Sequence, residues 1–495
     1  MGRHTWIVAV LGGLAAALGH APFHLWYVAL AGLIALFWAV GQAASGGQAF
    51  RRAWFGGAAY FAVSLHWIVE PFLVDAAIHG WMAPGALILM AGGLALFWAV
   101  AGWAAQRLAG PASMTALAFA VTLTLAEFAR GHLFTGFPWA MPGYIWAETP
   151  VLATAAFTGS YGLTFVTLLC ASLGAAARHS LASGLGAALL VALLFGAGAL
   201  RLSDTTATPE LGRVALVHPN IPQNEKWNRE KVPGHIDHLL DLTRSAVANI
   251  APPDLIVWPE VAVVYPLDVA GPVLEAASAA AGNTPIITGI NRRDGENWYN
   301  TITEIGEGGA IGTVYDKVHL VPFGEYIPFK LGFLRAMAAT TSNGFSSGEA
   351  VRLIETPIGR ALPLICYEGI FPAHIFKVDA RADYLLLVTN DAWFGTFAGP
   401  YQHLDQARFR AAEQGLPVVR VANAGVSTVI DRFGRFESRL DLGEAGSRNF
   451  VVRAGQPTLY ARTGDLPALA LLILLSIGLL WSKGRNAIAN SSASS

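Results

Sequence analysis

Charge is scarce in this chain. Only 13% of its 495 residues are Asp, Glu, Lys or Arg, against 54% hydrophobic residues, and a charged share about half the usual one excludes an ordinary soluble enzyme over the full length. The shortage is also local. Residues 1–201 hold seven Lys/Arg and four acids (Glu70, Asp75, Glu127, Glu148), and the stretch from Leu466 adds only Lys483 and Arg485. The remaining 52 charges fall in residues 202–465, roughly 20% of that segment, which is close to the soluble norm. Two solvents are implied. A net charge of −1 offers no basic field for gripping nucleic acid. Cysteine is nearly absent too: Cys170 and Cys366 allow at most one disulfide and no cysteine-rich metal site, and the histidines show no ligand spacing, so no metal is expected.

What is abundant is apolar sequence in long runs. A bilayer core needs about 20 mostly apolar residues per helix, because each backbone polar group must be satisfied within the segment. Seven such stretches are predicted near residues 5–22, 24–42, 53–73, 82–106, 112–129, 151–177 and 181–200, and an eighth over 466–481. The first resembles a cleaved signal peptide in having Arg3 before an apolar run, but a second apolar span follows with scarcely a break. Lys and Arg accumulate in cytoplasmic loops. Arg3, Arg51 with Arg52, Arg107, Arg178 and Lys483 with Arg485 fall on one side and only Arg130 on the other, which predicts cytoplasmic termini and an outward-facing domain over 202–465. Glu70, Glu127 and His66 are among the few ionisable groups within the spans, the two carboxylates to be satisfied by snorkelling or by hydrogen bonds between helices; a transporter would carry paired charges near the midplane. The short loop His132–Pro150 is crowded with aromatics, among them Phe137, Trp139, Tyr144 and Trp146, and is expected to face lipid through Phe137 and Trp139.

From Gly212 the texture becomes soluble α/β: short apolar runs at 213–217, 255–257, 285–288, 361–365 and 384–388 are separated by turns and helical stretches. Buried strands often build a site at their C-terminal ends. Three ends stand out. Leu255–Val257 leads through Trp258 and Pro259 to Glu260; Tyr315-Asp316-Lys317 places one lysine among apolar neighbours; Leu362–Ile365 runs into Cys366 and a turn. A thiol acts as a nucleophile only once ionised, so Cys366 needs a base and a nearby cation, which Glu260 and Lys317 would supply.

Trp258-Pro259-Glu260, Tyr315-Asp316-Lys317 and Cys366-Tyr367-Glu368 together resemble the Glu-Lys-Cys triad of the nitrilase superfamily. Such a domain set between a seventh and an eighth span is similar to the apolipoprotein N-acyltransferase family, its membrane-embedded branch. The strings Pro219–Gln223, Asn224–Trp227, Gly136–Trp139, Phe323–Tyr326, Thr389–Gly395 and Gln406–Glu413 agree, while Ala422 stands before Asn423 where many members have Thr. The resemblance implies a membrane domain over 1–201, a periplasmic α-β-β-α sandwich over 202–465, and an eighth transmembrane helix with a cytoplasmic tail over 466–495, all in the bacterial inner membrane. It implies an acyl chain passing from the sn-1 position of a phospholipid to Cys366, then to the N-terminal amine of a diacylated lipoprotein, with no cofactor. Glu325, Tyr367, Glu368 and Asn300 would support the triad, Trp227 would pack on lipid, and Phe329–Phe345 would be a mobile arm. Cys170 would be a packing residue. A membrane-tethered amidase using water as acceptor is the alternative.

Overall fold

The computed structural model describes residues 4–109, 114–248, 251–327 and 344–492, with the backbone alone from 486. The chain divides into two compact units, one of Met1–Val69, Trp81–Asp204 and Thr458–Ser495, the other of Glu70–Gly80 and Thr205–Pro457.

The first unit is helical, and each predicted apolar stretch contains a helix. Among the described residues, Ala76–Leu108, Pro150–Ala176, Leu181–Leu202 and Leu466–Arg485 are long and apolar enough to cross a membrane; Thr5–Ala17 and Trp26–Gly41 are apolar but shorter. Gly46–Ser64 and Thr115–His132 are helical as well. The third stretch lies earlier than expected. Its helix starts after Ser45, whose hydroxyl accepts from the Gln48 amide at 3.3 Å, so Arg51 and Arg52 are helical rather than in a loop. Arg52 is buried and donates to the Ala39 carbonyl at 2.8 Å, near the C-terminus of Trp26–Gly41, a favourable place for a cation.

Glu127 satisfies its charge inside this unit. It pairs with Arg130 one turn on and accepts from the Trp98 indole at 2.8 Å. Arg130 also donates to the carbonyls of Phe137 and Trp139, drawing the following loop inward. Trp139 is consequently buried against Trp67, with ring centroids 4.5 Å apart, and the expected lipid-facing position is corrected for this residue; Phe137 stacks on it and stays half-buried. Glu70 was placed in a span and instead begins the short helix Glu70–Leu73 of the second unit, packed beside Gly395.

The second unit carries two six-stranded sheets. The first runs in the order β12 (Gly446–Arg453), β1 (Glu210–His218), β2 (Leu255–Val257), β3 (Ile286–Asp294), β4 (Asn297–Ile305), β5 (Ile311–Asp316). The second runs β11 (Arg439–Leu440), β10 (Ser427–Ile430), β9 (Val418–Ala422), β8 (Tyr384–Thr389), β7 (Gly359–Ile365), β6 (Ile354–Thr356). Strands β1, β2 and β3 are parallel, as are β7, β8 and β9. Parallel strands bury both faces, which explains their unbroken apolar runs. Alternate residues then serve two cores. Val214, Leu216 and Val257 meet Ile365, Leu386 and Val421 between the sheets. Ala215, Val217 and Ile256 pack outward under the helices Val232–Val247 and Gly271–Ala280, while Leu364, Leu385 and Leu387 pack under Gly399–Gln414. The layers are therefore α-β-β-α. Both cysteines are free and buried.

Candidate active site

Glu260, Lys317 and Cys366 come together in one buried cluster from three strand ends. Beyond β2, Trp258 anchors the chain by donating to the Thr243 hydroxyl at 3.0 Å, and Pro259 accepts the Gly289 amide at 3.1 Å. Only glycine fits at 289, because an added Cβ would lie 2.6 Å from the Cα of Glu260 and 2.5 Å from the Val261 nitrogen. Beyond β5, Asp316 is tied to Arg292 at 2.7 Å and to the Thr301 hydroxyl at 2.6 Å, while the Lys317 amide donates to the Asn300 carbonyl at 2.8 Å. Beyond β7 the chain turns sharply into the 3-10 segment Cys366–Ile370, with Cys366 at φ +51°. A left-handed backbone at a non-glycine residue costs of order 1–3 kcal/mol and persists only where its surroundings enforce it.

The Lys317 ammonium lies 2.9 Å from Glu325 Oε1 and 4.0 Å from Glu260 Oε1. The Asn300 amide bridges the same carboxylates, donating to Glu260 Oε1 at 2.7 Å and to Glu325 Oε1 at 3.1 Å; Glu325 Oε2 accepts the Val321 amide at 2.7 Å. Burial sets the proton affinities. It pushes the Glu260 carboxyl above its ordinary range, with Lys317 opposing. Burial and the Glu260 charge push the Cys366 thiol up, again against Lys317. Burial alone would lower Lys317, but Glu325 and Glu260 outweigh it and hold the ammonium well above its usual value. The resting sulfur is thus a thiol beside a carboxylate of enhanced basicity and a fixed cation, an arrangement suited to removing the proton as sulfur attacks a carbonyl and to balancing the oxyanion formed.

Glu368 is fully buried and stitches two of the strand ends together. Oε1 accepts the Val318 and His319 amides at 2.8 and 3.0 Å, and Oε2 accepts the Ile365 amide at 2.8 Å. Stranding a buried N–H costs about 1–3 kcal/mol. Glu368→Ala is therefore expected to destabilise this unit by roughly 3–5 kcal/mol and to slow any chemistry at Cys366, with Glu368→Gln less affected because it keeps one acceptor oxygen. Thermal unfolding of the purified variants checks the order. Tyr367 is buried beside Phe371, which stacks on His319 at 4.0 Å. Trp227 is 53% exposed, and residues 329–343 of the expected arm lie outside the described residues.

Sequence reading missed a second buried cluster. Asp391, just past β8, is paired with Arg420 and accepts from His403 Nδ1 and the Thr389 hydroxyl, each at 2.8 Å. Burial raises its proton affinity, yet Arg420 and His403 outweigh that and keep it ionised. The Thr389 hydroxyl also bonds to the Cys366 side chain, so the cluster backs the nucleophile. The same rule that singled out Cys366 would have found it: Tyr384–Val388 is another apolar run with a polar tip. Asn423 links two of the family-like strings, donating to Asn390 Oδ1 and the Ile221 carbonyl and accepting from the Ile221 amide.

Comparison with known proteins agrees with this geometry. Residues 12–173 match the apolipoprotein N-acyltransferase N-terminal domain, and residues 213–454 match the carbon-nitrogen hydrolase domain. An apolipoprotein N-acyltransferase of Rhodopseudomonas palustris is 37% identical over 96% of this chain and 95% of its own. One from Caulobacter vibrioides is 36% identical over 95% and 93%, and one from Brucella melitensis 36% over 97% and 96%. With both units matched and more than a third of positions shared over nearly the whole length, the chain belongs to the apolipoprotein N-acyltransferase family.

Proposed function

We propose that this chain acylates the N-terminal amine of lipoproteins by a two-step transfer through Cys366, with a phospholipid as donor. The observation that carries the reading is the Lys317 ammonium held between Glu325 and Glu260 at the strand end beside a buried thiol. In the first step Glu260 takes the thiol proton, the sulfur attacks the sn-1 ester carbonyl, and Lys317 faces the oxyanion. Collapse breaks the ester bond, and Glu260 returns the proton to the departing lysophospholipid. In the second step the amine of an S-diacylglyceryl-cysteine attacks the thioester, Glu260 accepts the amine's proton, and the thiol is regenerated. Of the aromatics expected to meet acyl chains, Trp227 is exposed and Phe137 half-buried.

Eight apolar helices would embed residues 1–201 and 466–495 in the bacterial inner membrane, with the catalytic segment 202–465 in the periplasm and both termini in the cytoplasm. The one-sided distribution of Lys and Arg near the ends of the apolar runs supports that orientation. A phosphatase fused after Arg462 is expected to be active and one fused at Arg485 inactive; the reverse pattern would invert the orientation.

Incubation with a phospholipid labelled in its sn-1 chain, plus a diacylated lipopeptide, tests the function. Label on the lipopeptide amine is the expected result. Label released only as free fatty acid would make the protein a tethered hydrolase.

A further inference from the structure

A second lysine lies at the site, and the mechanism above does not use it. Lys226 sits in the loop after β1, its amide bonded to the Pro222 carbonyl at 3.1 Å. Its side chain turns inward rather than to solvent. The residue is 3% exposed, as closed off as Cys366 at 5% and Glu260 at 7%, and its ammonium donates to the Glu260 backbone carbonyl at 3.1 Å. The next residue, Val261, has φ +46°, so this carbonyl belongs to a backbone segment that needs holding. Among the described residues Lys226 forms no ion pair within 4.0 Å, which is an expensive way to bury a cation. Burial lowers its proton affinity to about 8, opposed by the Glu260 charge, so it remains mostly charged at neutral pH.

We infer that Lys226 is a second cation of the site, a positioning residue that holds the Glu260 loop by its carbonyl and puts a buried positive charge near the Glu260 side chain. The inference rests on Glu260 being the base. Its effect must be separated from the other groups around that carboxylate: the charged Lys317 and Glu325, the Asn300 amide from β4, and the Cys366 thiol. Around Lys226 itself stand Glu225 and Lys231, which pair with each other at 2.6 Å, and His235 on the helix Val232–Val247. All of these remain in place when Lys226 alone is changed.

The sign follows from the charge. The Lys226 cation lowers the proton affinity of Glu260. Removing it raises that affinity, so Glu260 stays protonated to higher pH and acylation begins later. Once ionised, the same carboxylate is a stronger base, but the rate on the plateau also depends on the bond to its carbonyl. A purely structural lysine would instead lower the rate equally at every pH.

The experiment is single-turnover acylation of Cys366 from a fluorescent phospholipid, followed across pH with full-length protein in detergent, for wild type, Lys226→Met and Lys226→Gln. Glutamine keeps a donor to the carbonyl without the charge, and it decides the matter if the methionine variant fails to fold. In both variants the rising limb is expected to move to higher pH, with the rate lost on its acidic side. The plateau is expected to fall in Lys226→Met, which loses the bond to the Glu260 carbonyl, and to fall less in Lys226→Gln, which keeps a donor. A limb that stays in place in the variants, with the rate lowered uniformly, would overturn the inference while leaving Glu260 as base. A wild-type profile without the limb would overturn the assignment of Glu260, and the inference with it.

Discussion

Glu260→Gln is expected to lose acylation of Cys366 and transfer to the amine together, each by a factor of roughly 10² to 10⁴, the usual contribution of a positioned general base. Glutamine is nearly isosteric, and its oxygen can still accept from the Asn300 amide, which donates to Glu260 at 2.7 Å. The pocket should therefore keep its shape and lose only its proton acceptor. Lys317 keeps Glu325 at 2.9 Å and stays charged. In wild type the acylation rate should rise with pH as Glu260 ionises. Because burial raises its proton affinity, that limb lies above the ordinary carboxylate value of 4.5. Below the limb the carboxyl is protonated and cannot accept. In Glu260→Gln the limb should be missing. Normal thioester formation by this variant would move the base to Glu325 or Glu368.

Cys366→Ala should show the largest loss of all, with acyl transfer falling to background, because no other thiol lies in the second unit. Cys366→Ser should be nearly as inactive. A serine hydroxyl is a much weaker acid than a thiol, and Glu260 is matched to the easier proton. Folding should survive both changes, since the left-handed turn at Cys366 is braced from outside by Glu368 on the Ile365 amide and by the Asp391 cluster behind it. Unfolding temperatures within a few degrees of wild type, about 1 kcal/mol or less, would separate lost chemistry from lost structure. Cys170 is buried in the helix Ala155–Ala176 of the other unit and should remain unlabelled in either variant.

The parts of the fold and site that were readable in the sequence share one physical cause. Buried parallel strands must be apolar throughout, so a polar residue at the end of such a run is conspicuous, and Glu260, Cys366 and the strands beneath them stood out for that reason. Lys317 was visible among apolar neighbours. Asn300 and Glu325 were identified through family resemblance, but their bridging role depends on the antiparallel register of β3, β4 and β5, which sets Asn300 opposite Asn291 and beside Lys317. Nothing local to either residue encodes that register. Lys226 was hidden for a different reason: a lysine in a polar loop looks solvated until its side chain is seen to turn inward. In the helical unit, apolar runs located the helices, but their limits depended on pairings across the chain. Hydropathy alone does not show the Ser45 cap or the bond from Arg52 to Ala39. The inward turn of Trp139 follows from Arg130 binding backbone carbonyls seven and nine residues away, and a sequence of aromatics at an interface carries no sign of it.

The central claim is that the acyl group rests on Cys366 between the two substrates. The most direct test is mass spectrometry of the full-length protein after incubation with phospholipid alone, quenched in acid and digested. The peptide carrying Cys366 should gain the mass of one fatty acyl chain, lose it to hydroxylamine, and lose it on addition of a diacylated lipopeptide, which should gain the same mass at its amine. Transfer to the lipopeptide with Cys366 never acylated, or an acyl group found at another residue, would contradict the account.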